Sequence, residues 1–249
     1  DGGRLLSVES LPKSFEYIFK TRDGYVGYMG NLSNAPDESK NVSLLSDDLK
    51  IEKSFFDIDL TWESNSFGDG YVFSSFNGTV HYIEPMDFNV YAIDGQEVSI
   101  PYRFDLGNLA WPEKAKAYKP FEELMDKDMN RYIHRIYYFQ ETENRLIIHV
   151  LYRGQMLLGI YDKRTKESVV SRTDAYIGNY FVPGGRIEGI DKNEIYLTVS
   201  AEFMREILVG KTKYVDFEAE YPEQVKRLRA EFPVIEEDGN PFLAIYYLK

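Results

Sequence analysis

Apolar residues in this chain come in short runs of strand length, each bounded by turn residues, at 71–73, 146–152, 156–161, 194–199 and 242–248. Runs of this kind read as strands because a core helix needs about ten or more residues of 3.6-fold pattern. Arg153-Gly154 separates the second run from the third, and Asp94-Gly95 follows Val90-Tyr91-Ala92-Ile93. Glycine there supplies the positive φ of a tight hairpin, so neighbouring runs are expected to pair antiparallel, and both turns to tolerate substitution poorly. The 20 Tyr and 16 Phe fit the same picture, since aromatic rings suit the half-buried surface of a pleated sheet.

A pattern of apolar strand and polar turn repeats, with turn centres near 47, 94, 162 and 210, spaced by about 47, 68 and 48 residues. The long interval holds helix-like segments at 112–118 and 121–126, split by Pro120, and removing about twenty residues restores a period near 47. That is the length of one four-stranded propeller blade, whose two faces cannot both be buried without neighbouring blades. The fold expected is all-β: a β-propeller of four-stranded antiparallel blades, four to five of them in this chain, with short helical insertions. A second insertion runs from Pro222 to Phe232, with Val225, Leu228 and Phe232 on one stripe and Pro222 in the first turn. No linker composition divides the chain, which reads as one propeller domain over residues 1–249.

Charge and composition exclude several functions. Forty-one acidic against 29 basic side chains give a net charge of −12, which repels nucleic acid and anionic lipid. The absence of cysteine removes disulfides, thiolate metal sites and cysteine nucleophiles. No apolar stretch approaches membrane-spanning length. The chain opens at Asp1-Gly2-Gly3-Arg4 without Met and reads as a processed or truncated piece.

The C-terminal run Glu236-Glu237-Asp238-Gly239-Asn240-Pro241-Phe242-Leu243-Ala244-Ile245-Tyr246-Tyr247-Leu248-Lys249 resembles the ending of the six-bladed β-propeller lipoproteins of gut Bacteroidetes. Tyr102-Arg103-Phe104-Asp105-Leu106-Gly107-Asn108 with Pro112 looks like a second shared segment, and Thr79-Val80-His81-Tyr82-Ile83 with Val90-Tyr91 falls where the preceding blade hairpin belongs. The resemblance covers the whole chain but departs in length, since four periods stand against six blades. It implies an exported binding or scaffold protein in the periplasm or on the outer membrane. Its membrane attachment would be through a lipid anchor that this chain lacks, and the resemblance supplies no catalytic residues.

Candidate chemistry therefore rests on the residues themselves. Asp57-Ile58-Asp59 would place two carboxylates on one strand face, with Trp62 and Glu63 following, a ring for stacking on sugar beside acids for glycoside chemistry. Arg131 and His134, with Arg135, form a second cluster beside the acidic turn Glu141-Thr142-Glu143-Asn144, where ion pairs across a hairpin explain the charges equally well. His81, His134 and His149 are too far apart in sequence for a helical metal pair, and His149 reads as a satisfied strand histidine. Asp126-Lys127-Asp128-Met129-Asn130 opens like a calcium loop, but Arg131 stands where its glycine belongs. Gly184-Gly185-Arg186 reads as a turn, not a phosphate loop, and the sequons at Asn31, Asn41 and Asn77 read as turns. No metal or cofactor is expected. The preferred reading is a non-enzymatic propeller of the cell envelope binding a protein or carbohydrate ligand. Asp57, Asp59, Trp62, Glu63, Arg131 and His134 are its candidate contacts, and the alternative is a carbohydrate-active hydrolase or lyase.

Overall fold

The computed structural model describes residues 8–31, 39–58, 71–84, 86–111, 131–153, 155–172, 186–191, 194–211, 216–236 and 239–247. They fall into two compact units, Asp1–Tyr137 and Tyr138–Lys249. The calcium-like run at 126–130, the helix-like segments at 112–118 and 121–126, and Gly184-Gly185 lie outside the described residues.

The first unit holds two four-stranded antiparallel sheets, each a simple meander in sequence order. One consists of β1 (Tyr17–Lys20), β2 (Tyr25–Tyr28), β3 (Lys40–Leu45) and β4 (Ile51–Asp57). The other consists of β5 (Phe73–Phe76), β6 (Thr79–Ile83), β7 (Asn89–Asp94) and β8 (Glu97–Arg103). The inner strands are buried and the last strand of each sheet is largely exposed, as in a blade with an outer edge. Val26, Tyr28 and Val42 of the first sheet share one core with Phe73, Val80, Tyr82 and Ile93 of the second, so the two sheets pack face to face.

Turn chemistry fixes the hairpins. Asn77 and Gly78 join β5 to β6 with φ of 51° and 84°, the two left-handed residues of a type I′ turn. Gly95 takes φ 53° between β7 and β8, as its sequence context predicts. Because consecutive strands are antiparallel, connections alternate between the two ends of the unit, and the ends differ. At one end lie the short links 21–24, 46–50, 77–78 and 95–96, where Lys53 Nζ donates to the Gln96 carbonyl at 2.5 Å across the two sheets. At the other lie 29–39, 58–72, 84–88 and the link from β8 to the next strand, 104–135.

The second unit carries a third meander of β9 (Ile136–Glu141), which begins at the unit boundary, β10 (Arg145–Tyr152), β11 (Gln155–Asp162) and β12 (Glu167–Arg172). The Arg153-Gly154 hairpin joins β10 to β11 with Arg153 at φ 52°, and Gly154 lies outside the described residues. A last sheet has three described strands, β13 (Arg186–Asp191), β14 (Glu194–Val199) and β15 (Phe242–Tyr247). Between β14 and β15 the chain forms α1 (Ala201–Val209), α2 (Phe217–Glu220) and α3 (Pro222–Glu231). Ser200 caps α1 by accepting from the Phe203 N–H, Asp216 caps α2 through Ala219 N–H, and Pro222 opens α3. Val225 is buried with Met204, Ile207 and Phe217, while Leu228 and Phe232 pack on the same core, so the stripe seen in the sequence is the packed one.

These sheets make a β-propeller-like fold with short helical insertions. The turns near 47, 94 and 162 are the links between third and fourth strands of the three four-stranded sheets, which is why they recur. The one at 210 is different: Ile207-Leu208-Val209 ends α1, and Gly210 is its left-handed C-cap at φ 94°. A glycine after apolar residues serves a helix end as well as a hairpin, and the two look alike in sequence. Asn41-Val42-Ser43 is also not a turn but buried strand in β3.

Candidate functional site

Several buried polar groups of the first unit stand at the end that bears the long connections. Asn31 stands in the left-handed region at φ 63°, a conformation asparagine tolerates, and its N–H donates to Asn41 Oδ1 at 2.9 Å. Asn41, only 1% exposed, thus fixes the turn that leaves β2. Beside it the fully buried rings of Tyr28 and Tyr82 meet across the two sheets with centroids 5.9 Å apart. Burial, and then the charges of Glu16 and Glu84, raise the Tyr28 hydroxyl well above its ordinary range, against a smaller opposing effect of Arg135. Burial does the same to Tyr82. Both phenols stay neutral at any physiological pH.

Asp87 organises the 84–88 link. Its Oδ1 accepts from the Phe88 and Asn89 N–H groups at 2.6 and 3.0 Å, an Asx turn, and its Oδ2 accepts from Asn89 Nδ2 at 2.9 Å and the Tyr91 hydroxyl at 2.5 Å. Arg103 Nε, paired in register on β8, donates to Asn89 Oδ1 at 2.8 Å. Burial and the bond to Asp87 push the Tyr91 hydroxyl up to about 12. The network ties this link to both β7 and β8.

The 104–135 connection returns to the same end. Trp111 and Ile133 hold its two described pieces together, the Trp111 N–H donating to Ile133 O at 2.9 Å and the Ile133 N–H to Leu109 O at 2.7 Å. Arg131 is exposed, its guanidinium 5.8 Å from the Tyr132 ring, which stands edge-on to Trp111. His134 and Arg135 are buried. The Arg135 guanidinium lies 3.9 Å over the Tyr137 ring, and His134 Nε2 is 3.1 Å from the Tyr137 hydroxyl. Burial, helped by the Arg135 charge, brings His134 down to about 4, so the ring is neutral near pH 7.

Of the six residues named from sequence, the described ones, Asp57, Arg131 and His134, belong to this end by chain topology. Asp57 closes β4, where its carboxylate meets Lys40 Nζ at 2.6 Å on the exposed sheet edge, residues in direct register across β3 and β4. Asp59, Trp62 and Glu63 lie in the 58–72 link, outside the described residues. Arg131 and His134 lie together on the 104–135 connection, one exposed and one buried. In the acidic turn after β9, Lys163, on the link between β11 and β12, forms an ion pair with Glu141 and donates to Thr142 O at 2.7 Å. That pairing follows from sheet order, which brings the two turns together. His149 sits in β10 at 4% exposure, edge-on to Tyr138, and its Nε2 finds no hydrogen-bond partner among the described residues, so it is not satisfied in the way the sequence suggests. Burial lowers it to about 4.

Among the described residues no group of three or more His, Asp or Glu is placed to hold a metal ion. No described helix is long and apolar enough to cross a membrane. Asn41, Asp87, Asn89 and the Tyr28–Tyr82 pair escaped the sequence reading. Asp87-Phe88-Asn89 carried a signal in its Asx-turn pattern, whereas burial of Asn41 in a strand had none.

Blade-like sheets with polar groups collected at one end place this chain among β-propeller-like proteins. By sequence it belongs to the family described as Domain of unknown function (DUF4934), whose model matches residues 2–247. Its fold is similar to that in the crystal structure of a "Putative exported protein" from Bacteroides fragilis NCTC 9343, with a TM-score of 0.64 and 14% identity over 97% of this chain and 67% of that one. No curated protein sequence matches the chain.

Proposed function

We propose that this protein is a non-enzymatic binding protein of the cell envelope, and that the long-connection end of its first unit is the recognition face. The observation that carries the reading is the inequality of the two ends: tight hairpins at one, and at the other the links 29–39, 58–72, 84–88 and 104–135. Long connections on a rigid sheet scaffold are where propellers place their contacts. The buried asparagines, the neutral tyrosines and the Asp87 network hold the base of that face still, so that ligand binding need not order it. Exposed Arg131 supplies an outer contact of this face, and Asp59, Trp62 and Glu63 are proposed as further ligand contacts.

An extracytoplasmic location is supported by the "Putative exported protein" of similar fold. We extend it to periplasmic exposure through a lipid anchor and to a six-bladed whole, in keeping with the C-terminal resemblance. The ligand is a protein or a carbohydrate. A thermal-shift screen of the chain against oligosaccharides, short peptides and divalent cations tests the proposal, because a ligand of the folded state raises the melting temperature. The expected result is a hit whose shift is lost in Arg131→Ala. A hit that Arg131→Ala and deletions within the 58–72 link leave untouched, or turnover of a sugar hit, would overturn it.

A further inference from the structure

The last sheet has two unlike faces. Val199, Phe242 and Ala244 turn one of them onto the core of the helical insertion, against Met204, Ile207 and Phe217. On the other, Thr198, Tyr196 and Glu194 of β14 stand in register with Leu243, Ile245 and Tyr247 of β15. Those three β15 side chains are 61%, 42% and 65% exposed, a continuous apolar and aromatic strip along the strand. Beside Tyr196, on β13, stands Gly189, where a Cβ would meet nothing within 4 Å among the described residues.

The same face is acidic at its margin. Asp191 and Glu194 are register partners next to Tyr247, and Glu188 accepts from Thr198 Oγ1 at 2.6 Å. The Tyr196 hydroxyl donates to Glu194 and also feels Asp191 and Tyr247, which sets these groups on one side of the sheet. In the first unit the comparable sheet faces do not stand open: they close on each other through Tyr28, Tyr82, Val26 and Val80.

We propose that this face of β13, β14 and β15 docks a polypeptide partner that lays aliphatic side chains over Leu243 and Ile245 and lysine or arginine side chains against Asp191 and Glu194. Charge complementarity selects that occupant. A second copy would set carboxylates against carboxylates in a chain already at −12, and like charges across an interface oppose association. A sugar fits less well, because the exposed strip along β15 is led by the aliphatic Leu243 and Ile245, which offer it no hydrogen bond, and the Tyr196 hydroxyl is committed to Glu194. Open aliphatic surface rimmed by charge is the usual mark of a protein contact. The surface lies on the second unit and the recognition face proposed above on the first, and the two rest on different residues, so either can fail without the other.

The test uses the full chain and three synthetic β-hairpin peptides: one with leucine and valine on a single face and lysines at its margins, a twin with glutamates replacing the lysines, and a twin with serines replacing the aliphatic residues. Fluorescence anisotropy is expected to show the lysine peptide binding at least about tenfold tighter than either twin and weakening as salt rises. Ile245→Ser and Asp191→Lys, both at exposed positions, are expected each to cost about tenfold in affinity while the melting temperature holds. Equal binding of the lysine and glutamate peptides would overturn the proposal. So would the absence of saturable binding up to about 1 mM, sugar binding lost in Ile245→Ser, or a dimer in light scattering that Ile245→Ser abolishes.

Discussion

Phe56 lies in β4 with φ at +56°, and its ring stands 4.7 Å from that of Tyr91 at an interplanar angle of 68°. The same ring is 4.8 Å from Tyr82, so the backbone strain at Phe56 is held in place by aromatic packing between the two sheets of the first unit. A positive φ costs a side-chain-bearing residue on the order of 1 kcal/mol. The usual strand ranking should therefore invert here: Phe56→Ala is expected to lose about 2–3 kcal/mol, and Phe56→Gly to be the more stable of the two variants by about 1 kcal/mol. Urea denaturation of both settles it, and an alanine variant that outlasts the glycine one would show the strain to be absent.

Two buried histidines should make the protein acid-sensitive. His134 and His149 are each lowered to about 4 from an ordinary 6.5, chiefly by burial. The unfolded chain takes up their protons below 6.5 while the folded one resists, so their stabilisation is complete above pH 6.5, falls as the pH drops towards 4 and is exhausted below it. Each contributes at most about 3 kcal/mol to that loss. Chemical denaturation across pH 3.5–7.5 measures the slope, and His149→Gln should flatten it; an unchanged slope would place the titration elsewhere.

Hairpin chemistry gives a prediction of opposite signs. Gly95 at φ 53° has open space where a Cβ would go, so Gly95→Ala meets only backbone strain and should cost about 1 kcal/mol. Arg153 already carries such strain at φ 52°, and Arg153→Asn should gain about 0.5–1 kcal/mol because asparagine tolerates that region. Denaturant midpoints that move the same way for both would refute the turn assignment.

Arg229 clamps the helical insertion. Its Nε donates to the Leu208 carbonyl at 2.7 Å, at the end of α1, while its two terminal nitrogens bond both oxygens of Glu218 on α2. A lysine ammonium has no planar fork for that geometry. In thermal melts followed by circular dichroism, Arg229→Lys should sit nearer to Arg229→Gln than to wild type, and a lysine variant with wild-type melting would reduce the clamp to simple charge.

How much of this the sequence disclosed depends on the element. β14 matches its apolar run residue for residue and β10, β11 and β15 match within a residue or two, since an uninterrupted apolar stretch leaves little choice of structure. The run at 71–73 meets β5 only at Phe73, because the strand's sequence, Phe-Ser-Ser-Phe, takes its pairing from the Asn77-Gly78 turn and its neighbours rather than from its own pattern. α1 was mistaken for strand and turn at its C-terminal end, although Ser200 as N-cap and the spacing of Met204 and Ile207 were there to be read. For the candidate site, residue type pointed to Asp57, Arg131 and His134, but their common end of the unit emerges only from strand alternation. Burial of Asn41 and His134 is a product of packing that no local pattern encodes.

Hydrogen–deuterium exchange of the full chain with and without a thermal-shift hit tests most directly whether the long-connection end of the first unit recognises the ligand. Added protection is expected in 29–39, 58–72, 84–88 and 104–135, with the hairpins at 46–50, 77–78 and 95–96 unchanged. Protection confined to those hairpins would contradict it.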